Sequence, residues 1–467
     1  MRIWAGISLG ALPCATATRG MVKTNAETAG AQAGSLRRLR RRTPARLLTP
    51  RGNIPQWRCW VFSFLLLADL PGVASARGWG DATEGRPILQ VFKASDYQTS
   101  NSRVAAVAQD HDGVLYFASD GLLRFDGAAW QRLSVGRDSM MKDVAVDDLG
   151  RIWVGGFGEL GSFEKDASGQ MHYTSLLSHL PPEHRDQLAI WGVEVTPRGI
   201  VFSANNKIMR WDGKSFIIWP LKEARRTVSQ KIGNTVYTTH LTTGFWKLDG
   251  NEPVLVVPYN PSIKLLPFFL KPDGNSYLAV TNKGLARFEG SNLTLLSGDS
   301  NEFIADKILT SVVTLDDTTL AVGTYSGGVI IIDMDGGILR VIDRSSGLPN
   351  QTVDRLFVDS EKSLWIMTES GIARMDSSGA VTLFDESNHL TGRPIRSIAA
   401  QDGRLYVLTG EGIFVLNPRP DVRSSAAFEL LSQYDMKLSY AALLPHSKGL
   451  LGSGFSGVRL LQPDGAV

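Results

Sequence analysis

Residues Gly347–Phe384 read GLPNQTVDRLFVDSEKSLWIMTESGIARMDSSGAVTLF, a stretch in which four short apolar runs are separated by turn-forming residues. The runs are Val353–Val358, Leu364–Met367, Ile372–Met375 and Val381–Phe384. Short runs rich in Val, Ile, Leu, Phe and Trp that end at Gly, Ser or Asp are typical of strands in an antiparallel meander. One such sheet cannot bury both of its faces, so the pattern predicts copies of it on either side.

The chain contains these copies. Each is marked by a Gly or small residue at a turn, a few apolar residues, and then an acidic or amide residue. The marked segments are DGLLRFD (Asp120–Asp126), GELGSFE (Gly158–Glu164), NNKIMRWD (Asn205–Asp212), TTGFWKLD (Thr242–Asp249), NKGLARFE (Asn282–Glu289), SGGVIIID (Ser326–Asp333), SGIARMD (Ser370–Asp376), EGIFVLN (Glu411–Asn417) and SGVRLLQ (Ser456–Gln462). Their last residues are 37 to 48 positions apart, 42 on average. Such a period, with four strands per unit, predicts an all-β fold, a β-propeller of four-stranded antiparallel blades in about nine repeat units.

Three of the repeats carry a family resemblance. The segments Gly347–Asp376, DHDGVLYFASDGLLRFDG (Asp110–Gly127) and DDLGRIWVGGFGELGSFE (Asp147–Glu164) resemble the two-component regulator propeller repeat, and the resemblance covers roughly residues 88–467. That family forms the periplasmic sensing part of bacterial membrane sensors. The resemblance implies a small-molecule ligand, with carbohydrate as one expected class, and a downstream membrane-linked histidine kinase or diguanylate cyclase module as partner.

The chain begins with two segments that precede the repeats. Residues 1–57 include the basic cluster Ser35–Arg46, and we interpret them as a disordered basic extension. Residues 58–76 have the order of a secretory signal peptide, because Arg58 is followed by about ten apolar residues and then by a small-x-small site. The apolar run is too short to span a bilayer. We therefore predict export to the periplasm, with cleavage near Ala76.

The remaining chain is mildly acidic. Residues 1–76 hold 11 of the 49 basic residues and 2 of the 46 acidic residues, which leaves 38 basic against 44 acidic residues, a net charge of −6. This balance gives no reason to expect nucleic-acid binding. Both cysteines, Cys14 and Cys59, precede the predicted cleavage point, which excludes thiol catalysis and Cys-ligated metals from the exported chain.

The number of blades per ring depends on an isolated strand-like run, Ile88–Lys93, which precedes the first full unit. In many propellers an N-terminal segment supplies the outer strand of the last blade. A literal count predicts one ring of nine blades, which is outside the usual range of four to eight. The family resemblance implies seven-bladed rings in tandem instead. We favour the second arrangement, with a seven-bladed propeller over residues 77–400 and further blades, from a truncated second propeller, over residues 401–467.

The sequence predicts no catalytic residue, no metal and no cofactor. No nucleophile motif is present, and the histidines are scattered singly without H-x-x-x-H spacing, so we interpret all of them as surface or turn residues. They are His111, His172, His179, His184, His240, His389 and His446. The alternative is a propeller lyase or lactonase-type hydrolase with a divalent metal on the central face. Such an enzyme would need histidines and acidic residues that converge there.

Aromatic residues recur at equivalent places in the second strands, which predicts that they pack between neighbouring blades. They are Tyr116, Trp153, Trp365 and Tyr406. Trp191 differs, because it lies in a first strand, near the presumed central axis. We therefore predict that Trp191 faces a ligand.

If the first strand of each blade is innermost, the turns between second and third strands share one face with the connections between blades. These turns carry Asp120, Glu159, Asn205, Thr243, Asn282, Tyr325, Glu369 and Glu411. A ring of polar side chains around a pocket is suited to binding a small ligand. The predicted ligand-binding residues are Trp191, Asn205, Asn282, Tyr325, Glu369 and Glu411. A homodimer is a further option for the assembly.

Overall fold

The computed structural model describes residues 83–461, with gaps at 100–102, 137–138, 222–226, 241, 261–264, 306, 377–380, 434–439 and 455–456. These residues all belong to one compact unit, Arg77–Val467. The predicted basic extension (1–57) and signal peptide (58–76) lie outside the described residues. Within the described ranges the longest helix has seven residues, and no helix there is long and apolar enough to cross a membrane.

The first four complete sheets are successive antiparallel meanders in which each strand pairs with the next. After the short strands β1 (Arg86–Pro87) and β2 (Gln90–Phe92), their strands are β3 (Ala106–Gln109), β4 (Leu115–Ser119), β5 (Gly121–Phe125) and β6 (Trp130–Leu133); β7 (Met141–Val146), β8 (Ile152–Gly156), β9 (Leu160–Lys165) and β10 (Met171–Ser175); β11 (Ile190–Thr196), β12 (Gly199–Ala204), β13 (Lys207–Trp211) and β14 (Phe216–Pro220); and β15 (Thr227–Ile232), β16 (Thr235–His240), β17 (Gly244–Leu248) and β18 (Val254–Pro258).

The fifth and sixth sheets have the same topology, and one short helix, α1, lies between them. Their elements are β19 (Pro267–Asp273), β20 (Ser276–Thr281), β21 (Gly284–Glu289) and β22 (Asn292–Leu295); α1 (Asp299–Ala305); and β23 (Leu309–Thr314), β24 (Thr319–Thr324), β25 (Val329–Asp333) and β26 (Ile338–Ile342). Single 3-10 turns occur at Leu177–His179, Pro182–His184, Arg344–Ser346 and Glu386–Asn388.

The seventh sheet combines the two ends of the ring. It consists of β27 (Val353–Val358), β28 (Ser363–Thr368), β29 (Gly371–Asp376) and, as its outer strand, β2. Strand β2 pairs with β29 in the register Gln90↔Arg374 and Phe92↔Ile372. The innermost strands β3, β7, β11, β15, β19, β23 and β27 follow one another side by side, and β27 also packs against β3. The ring is therefore a seven-bladed β-propeller that is closed by an N-terminal strand.

Two further sheets follow the ring. The eighth contains β31 (Ser397–Gln401), β32 (Arg404–Leu408), β33 (Gly412–Asn417) and β34 (Ala427–Gln433), and the three-stranded ninth contains β35 (Tyr440–His446), β36 (Gly449–Gly454) and β37 (Gly457–Leu461). Strand β31 packs against β35, and the two sheets share a buried cluster around Tyr406. The predicted nine repeat units are thus present, seven in the ring and two after it.

Two details of the sequence analysis are wrong. The run Val381–Phe384 is not the fourth strand of its own sheet, because only β30 (Thr382–Leu383) is extended there and it pairs with β1. The fourth place belongs to β2, which lies within the run Ile88–Lys93. The boundary drawn at residue 400 falls inside β31, because the polar turn after residue 400 separates two strands of one sheet and not two domains.

The N-terminal segment also ties the ring to the eighth sheet. The Arg340 guanidinium, 2% exposed, lies 2.6 Å from the Glu84 carboxylate and 2.5 Å from the carbonyl of Gly85. The carbonyl of Glu84 accepts a hydrogen bond of 2.8 Å from the amide of Ala426, which immediately precedes β34 of the eighth sheet. Burial lowers the pKa of Arg340, and the Glu84 carboxylate opposes that effect. A buried cation without an anion beside it is strongly destabilising, so Arg340 depends on its pairing with Glu84.

The aromatic residues of the second strands pack between blades, as predicted. All four are at most 4% exposed, and each belongs to a cluster formed with the next blade. Three of them also make a hydrogen bond that the sequence analysis missed, to the Asp that opens the turn before their strand. The bonds are Tyr116 to Asp110 (3.0 Å), Trp153 to Asp147 (2.9 Å) and Trp365 to Asp359 (2.8 Å). The same Asp accepts two amides of its own turn, so one carboxylate fixes both the turn and the ring.

The recurring glycine of the repeat has a conformational reason. Gly121 and Gly371 begin third strands with φ of 83° and 142°, values that L side chains rarely adopt. A Cβ at Gly371 would lie 2.5 Å from the carbonyl oxygen of Phe92 on the closing strand. At Gly371, both the positive φ and the lack of space for a Cβ therefore require glycine.

Candidate functional site

The turns between second and third strands and the starts of the inner strands lie at one end of the ring. We call this end the B–C rim. Hydrogen bonds join the two sets of residues, since the Tyr325 amide donates to the carbonyl of Ile308 and the Glu369 amide donates to that of Thr352. The turn residue Phe157 likewise forms a bridge with Ala189, which immediately precedes β11. The first–second strand turns lie at the opposite end, which we call the far rim.

Trp191 lies on the B–C rim at an irregularity of β11, where the register shifts between Ile190 and Gly192. Its indole Nε1 donates to Oδ1 of Asn205 at 2.5 Å. The exposed ring of Phe157 meets the indole edge-to-face, with centroids 5.7 Å apart. The ammonium of Lys142 lies 4.8 Å from the Phe157 centroid and 5.6 Å from that of Trp191. Two predicted residues, Trp191 and Asn205, thus belong to one aromatic cluster with a cation.

The turn that carries Asn205 is held by a buried histidine. His240 Nε2 is 2.7 Å from the Asn205 carbonyl, and its Nδ1 is 2.8 Å from the hydroxyl of Thr243. Trp246 donates to that hydroxyl at 2.9 Å. Because a carbonyl only accepts, Nε2 carries the proton, and Nδ1 accepts from Thr243. Burial lowers the pKa of His240, which favours this neutral form. The interpretation of all histidines as surface or turn residues is therefore wrong for His240, whose ring fills an interior position.

Tyr325 and Glu369 lie elsewhere on the same rim, beside a salt bridge that spans the ring closure. Arg103 precedes β3 and contacts Asp354 of β27 through Nε at 2.9 Å and NH2 at 2.6 Å. These hydrogen bonds raise the pKa of Arg103, and the charges of Glu369 and Tyr325 add to the effect. The Tyr325 side chain is 47% exposed, and Glu369 is exposed beside it. The two predicted residues therefore flank one arginine.

The other predicted turn residues differ in position. Asn282 uses its side-chain oxygen to accept the Leu266 amide at 3.3 Å, so it positions the chain that leads into β19. Glu411 belongs to the eighth sheet and accepts a hydrogen bond from Thr391 at 2.6 Å, so it lies outside the ring. Glu159 points inward at 2% exposure, where Ser175 and Tyr173 donate to it. The structure does not bring these residues to the two rim clusters.

The channel through the ring contains charged residues that the sequence analysis missed. Residues of β3, β11, β15, β19, β23 and β27 line a cavity of about 360 Å³. Polar and apolar residues contribute about equally to the lining, and the ionisable side chains among the lining residues are Glu194, Lys231 and Arg355. A charged residue inside an otherwise apolar first strand, as in IWGVEVT (Ile190–Thr196), is the signal that would have identified them.

Across the described ranges, no group of three or more His, Cys, Asp or Glu side chains is arranged to hold a metal ion. The carboxylates of the far-rim turns are occupied by their own backbone, as for Asp110, which accepts the amides of Asp112 and Val114.

No family model matches the sequence, and no curated protein matches it. Solved structures do match. The extracellular domain of the hybrid two-component system BT3049 from B. thetaiotaomicron has a TM-score of 0.55 at 18% identity, covering 80% of this chain and 53% of that one. This chain shares the fold of that sensor-system domain. It spans about half of the length of that domain, 53%.

Two other solved structures also match this chain, with lower TM-scores. The extracellular domain of the hybrid two-component system BT4673 from B. thetaiotaomicron has a TM-score of 0.49 at 14% identity, covering 81% of this chain and 52% of that one. Virginiamycin B lyase from Staphylococcus aureus has a TM-score of 0.46 at 11% identity, covering 62% of this chain and 96% of that one.

Proposed function

We propose that this chain is the periplasmic, non-catalytic sensing part of a bacterial signal-transduction system. It binds a small molecule on the B–C rim and passes the signal to a membrane-linked histidine kinase or diguanylate cyclase module. The observation that carries the proposal is the rim cluster of Trp191, Phe157, Asn205 and Lys142, which combines aromatic faces, an amide and a cation within contact distance. The shared fold with a two-component extracellular domain supports it.

The rim chemistry favours a carbohydrate as the ligand class. The apolar faces of sugar rings stack on aromatic side chains, while their hydroxyls need donors and acceptors in fixed positions. Asn205 is held at the backbone by His240 and at the side chain by Trp191, so its amide is pre-oriented. Glu369 and Tyr325 provide an exposed acceptor and a phenol on the same rim.

The hydrogen bonds of His240 favour a non-catalytic role for this chain over the lyase or hydrolase alternative. An enzyme with a rim metal would need a histidine nitrogen available as a ligand or base. Both ring nitrogens of His240 are occupied by Asn205 and Thr243, and the side chain is fully buried.

Substitutions on the B–C rim should weaken ligand binding. After a thermal-shift screen of neutral mono- and oligosaccharides identifies a ligand, Trp191→Ala, Tyr325→Ala and Glu369→Gln are each expected to reduce its affinity by about 1–3 kcal/mol in calorimetry, because each removes a contact or hydrogen bond. The matched control is Glu361→Gln on the far rim, where Glu361 contacts Arg374 at 2.6 Å, and it should leave the affinity unchanged. Loss of affinity in the control alone would place the site on the far rim.

Export is a second expectation, because residues 58–76 have the order of a signal peptide. When the full gene is expressed in a Gram-negative host, the protein should be recovered from the periplasmic fraction with an N-terminus at or near Arg77. N-terminal sequencing checks this. Recovery from the cytoplasm with Met1 retained would contradict the proposed location and leave the rim experiment unaffected.

A further inference from the structure

Both apolar and charged residues line the cavity in the channel. Phe268 and Phe357, from blades five and seven, are among the apolar lining residues. The charged lining residues are Glu194, Lys231 and Arg355, from blades three, four and seven. A volume of about 360 Å³ is within the range of small-molecule sites.

Arg355 is held across the channel by a buried carboxylate. Its NH2 group lies 3.4 Å from Oδ1 of Asp143 in blade two, and the other oxygen of Asp143 accepts the Val193 amide of blade three at 2.8 Å. Asp143 is 4% exposed and so ties three blades together. A guanidinium has five N–H donors, and this contact uses one of them. Among the described residues it is the one side-chain hydrogen bond that Arg355 makes, so the other donors can serve a group inside the cavity.

Glu194 and Lys231 face the cavity without such contacts. Among the described residues, neither side chain makes a hydrogen bond or an ion pair within 4.0 Å, although Glu194 experiences the charges of Asp143, Arg355 and Lys231. Burial, followed by the charge of Asp143, raises the pKa of Glu194 to about 8. At neutral pH, Glu194 is therefore mostly a neutral acid. Lys231 and Arg355 are the two cations among the lining residues, and Asp143 contacts Arg355, so among the described residues Lys231 has no anionic partner within 4.0 Å.

We propose that the channel binds a small monocarboxylate whose anionic end lies between Arg355 and Lys231 and whose apolar body packs on Phe268 and Phe357. A carboxylate matches the geometry of the guanidinium and compensates the positive charge of Lys231. The neutral acid of Glu194 donates a hydrogen bond to the ligand. This site is distinct from the B–C rim, and the proposal does not rest on the function proposed for that rim.

Binding to this site should depend on pH in one direction. The charged groups that act on Glu194 are Asp143 on β7, Lys231 on β15 and Arg355 on β27; the cavity-lining residues of β3, β19 and β23 are uncharged. Ionisation of Glu194 adds a negative charge beside the ligand and removes the donor. Because the protonated fraction falls about tenfold between pH 7 and pH 9 for a pKa of about 8, the affinity should fall about tenfold as well.

The probe is benzoate, titrated by calorimetry into the protein at pH 7 and pH 9, with benzamide and benzylamine as neutral and cationic counterparts. Arg355→Gln and Lys231→Gln should each weaken benzoate binding by roughly tenfold or more at pH 7, because each removes a charged hydrogen-bond donor. Glu194→Gln keeps a neutral donor, so benzoate should bind it equally at both pH values. Matched controls are Lys247→Gln and Arg287→Gln, on the third strands β17 and β21, which should bind benzoate like the parent protein.

Three results would overturn the proposal. The first is the absence of saturable benzoate binding by the parent protein. The second is binding of benzamide or benzylamine as tight as that of benzoate, since the site would then not select an anion. The third is unchanged benzoate affinity in Lys231→Gln and Arg355→Gln proteins that melt cooperatively. If Arg355→Gln fails to fold because Asp143 loses its partner, Lys231→Gln and Glu194→Gln decide the outcome, because Lys231 and Glu194 make no comparable contact.

Discussion

Trp365→Ala is expected to lower the free energy of unfolding by about 3–5 kcal/mol, because it removes a large, fully buried side chain from the closure of the ring. The indole is 1% exposed and stacks on Phe92 of the closing strand, with centroids 5.8 Å apart and planes 12° apart. It also contacts Phe117 and Phe125 of the first blade edge-to-face. The substitution therefore leaves a cavity where the last blade, the first blade and β2 meet.

Urea unfolding of residues 77–467, followed by fluorescence and circular dichroism, measures this change. The matched control is Trp219→Ala, since Trp219 is only half-buried on the outer strand β14 and stacks against Arg210. That change should cost clearly less than Trp365→Ala. A loss below about 0.5 kcal/mol for Trp365→Ala would mean that this residue is not a core position, against the range for large-to-small core substitutions.

The blades were predictable because their pattern is local. Short apolar runs, the Gly of the third strand and the Asp of the first turn repeat within each unit, and each has a backbone reason such as the positive φ of Gly371. The ring closure was only partly predictable, because the pairing of Phe92 with Ile372 joins residues far apart in the sequence. Nothing in the run Val381–Phe384 distinguishes it from a fourth strand. The two segments could occupy the same edge of β29, and only the structure shows that β2 lies there while β30 pairs with β1.

The sequence predicted the rim on which the candidate residues lie, but not the side-chain contacts that they make. Trp191 and Asn205, which the sequence analysis placed on one rim, share a hydrogen bond there. The inward orientation of Glu159 depends on donors fourteen and sixteen residues away, Tyr173 and Ser175. The channel charges were missed for a similar reason. Arg355 and Asp143 meet only when the ring closes, and they are 212 residues apart in the sequence.

Glu194→Gln is expected to stabilise the protein in a pH-dependent way. Burial raises the pKa of Glu194 from an ordinary 4.5 to about 8, with the Asp143 charge as the second cause. Between these two values the unfolded chain has released a proton that the folded protein retains. Stability from this group is therefore fully present below pH 4.5 and is lost progressively as the pH rises towards 8. Glutamine has no proton to lose, so the variant should not show this loss.

The difference in unfolding free energy between Glu194→Gln and the parent protein should accordingly grow by about 2–3 kcal/mol from pH 6 to pH 8, since one pKa unit corresponds to about 1.4 kcal/mol. Urea titrations of both proteins at the two pH values measure it. The matched control is Glu252→Gln in an exposed turn, for which the difference should be the same at both pH values. A constant difference for Glu194→Gln would mean that the Glu194 carboxyl is solvated and charged in the folded channel. The net positive charge on which monocarboxylate binding depends would then be absent, so this measurement also tests the electrostatic basis of the channel site without any ligand.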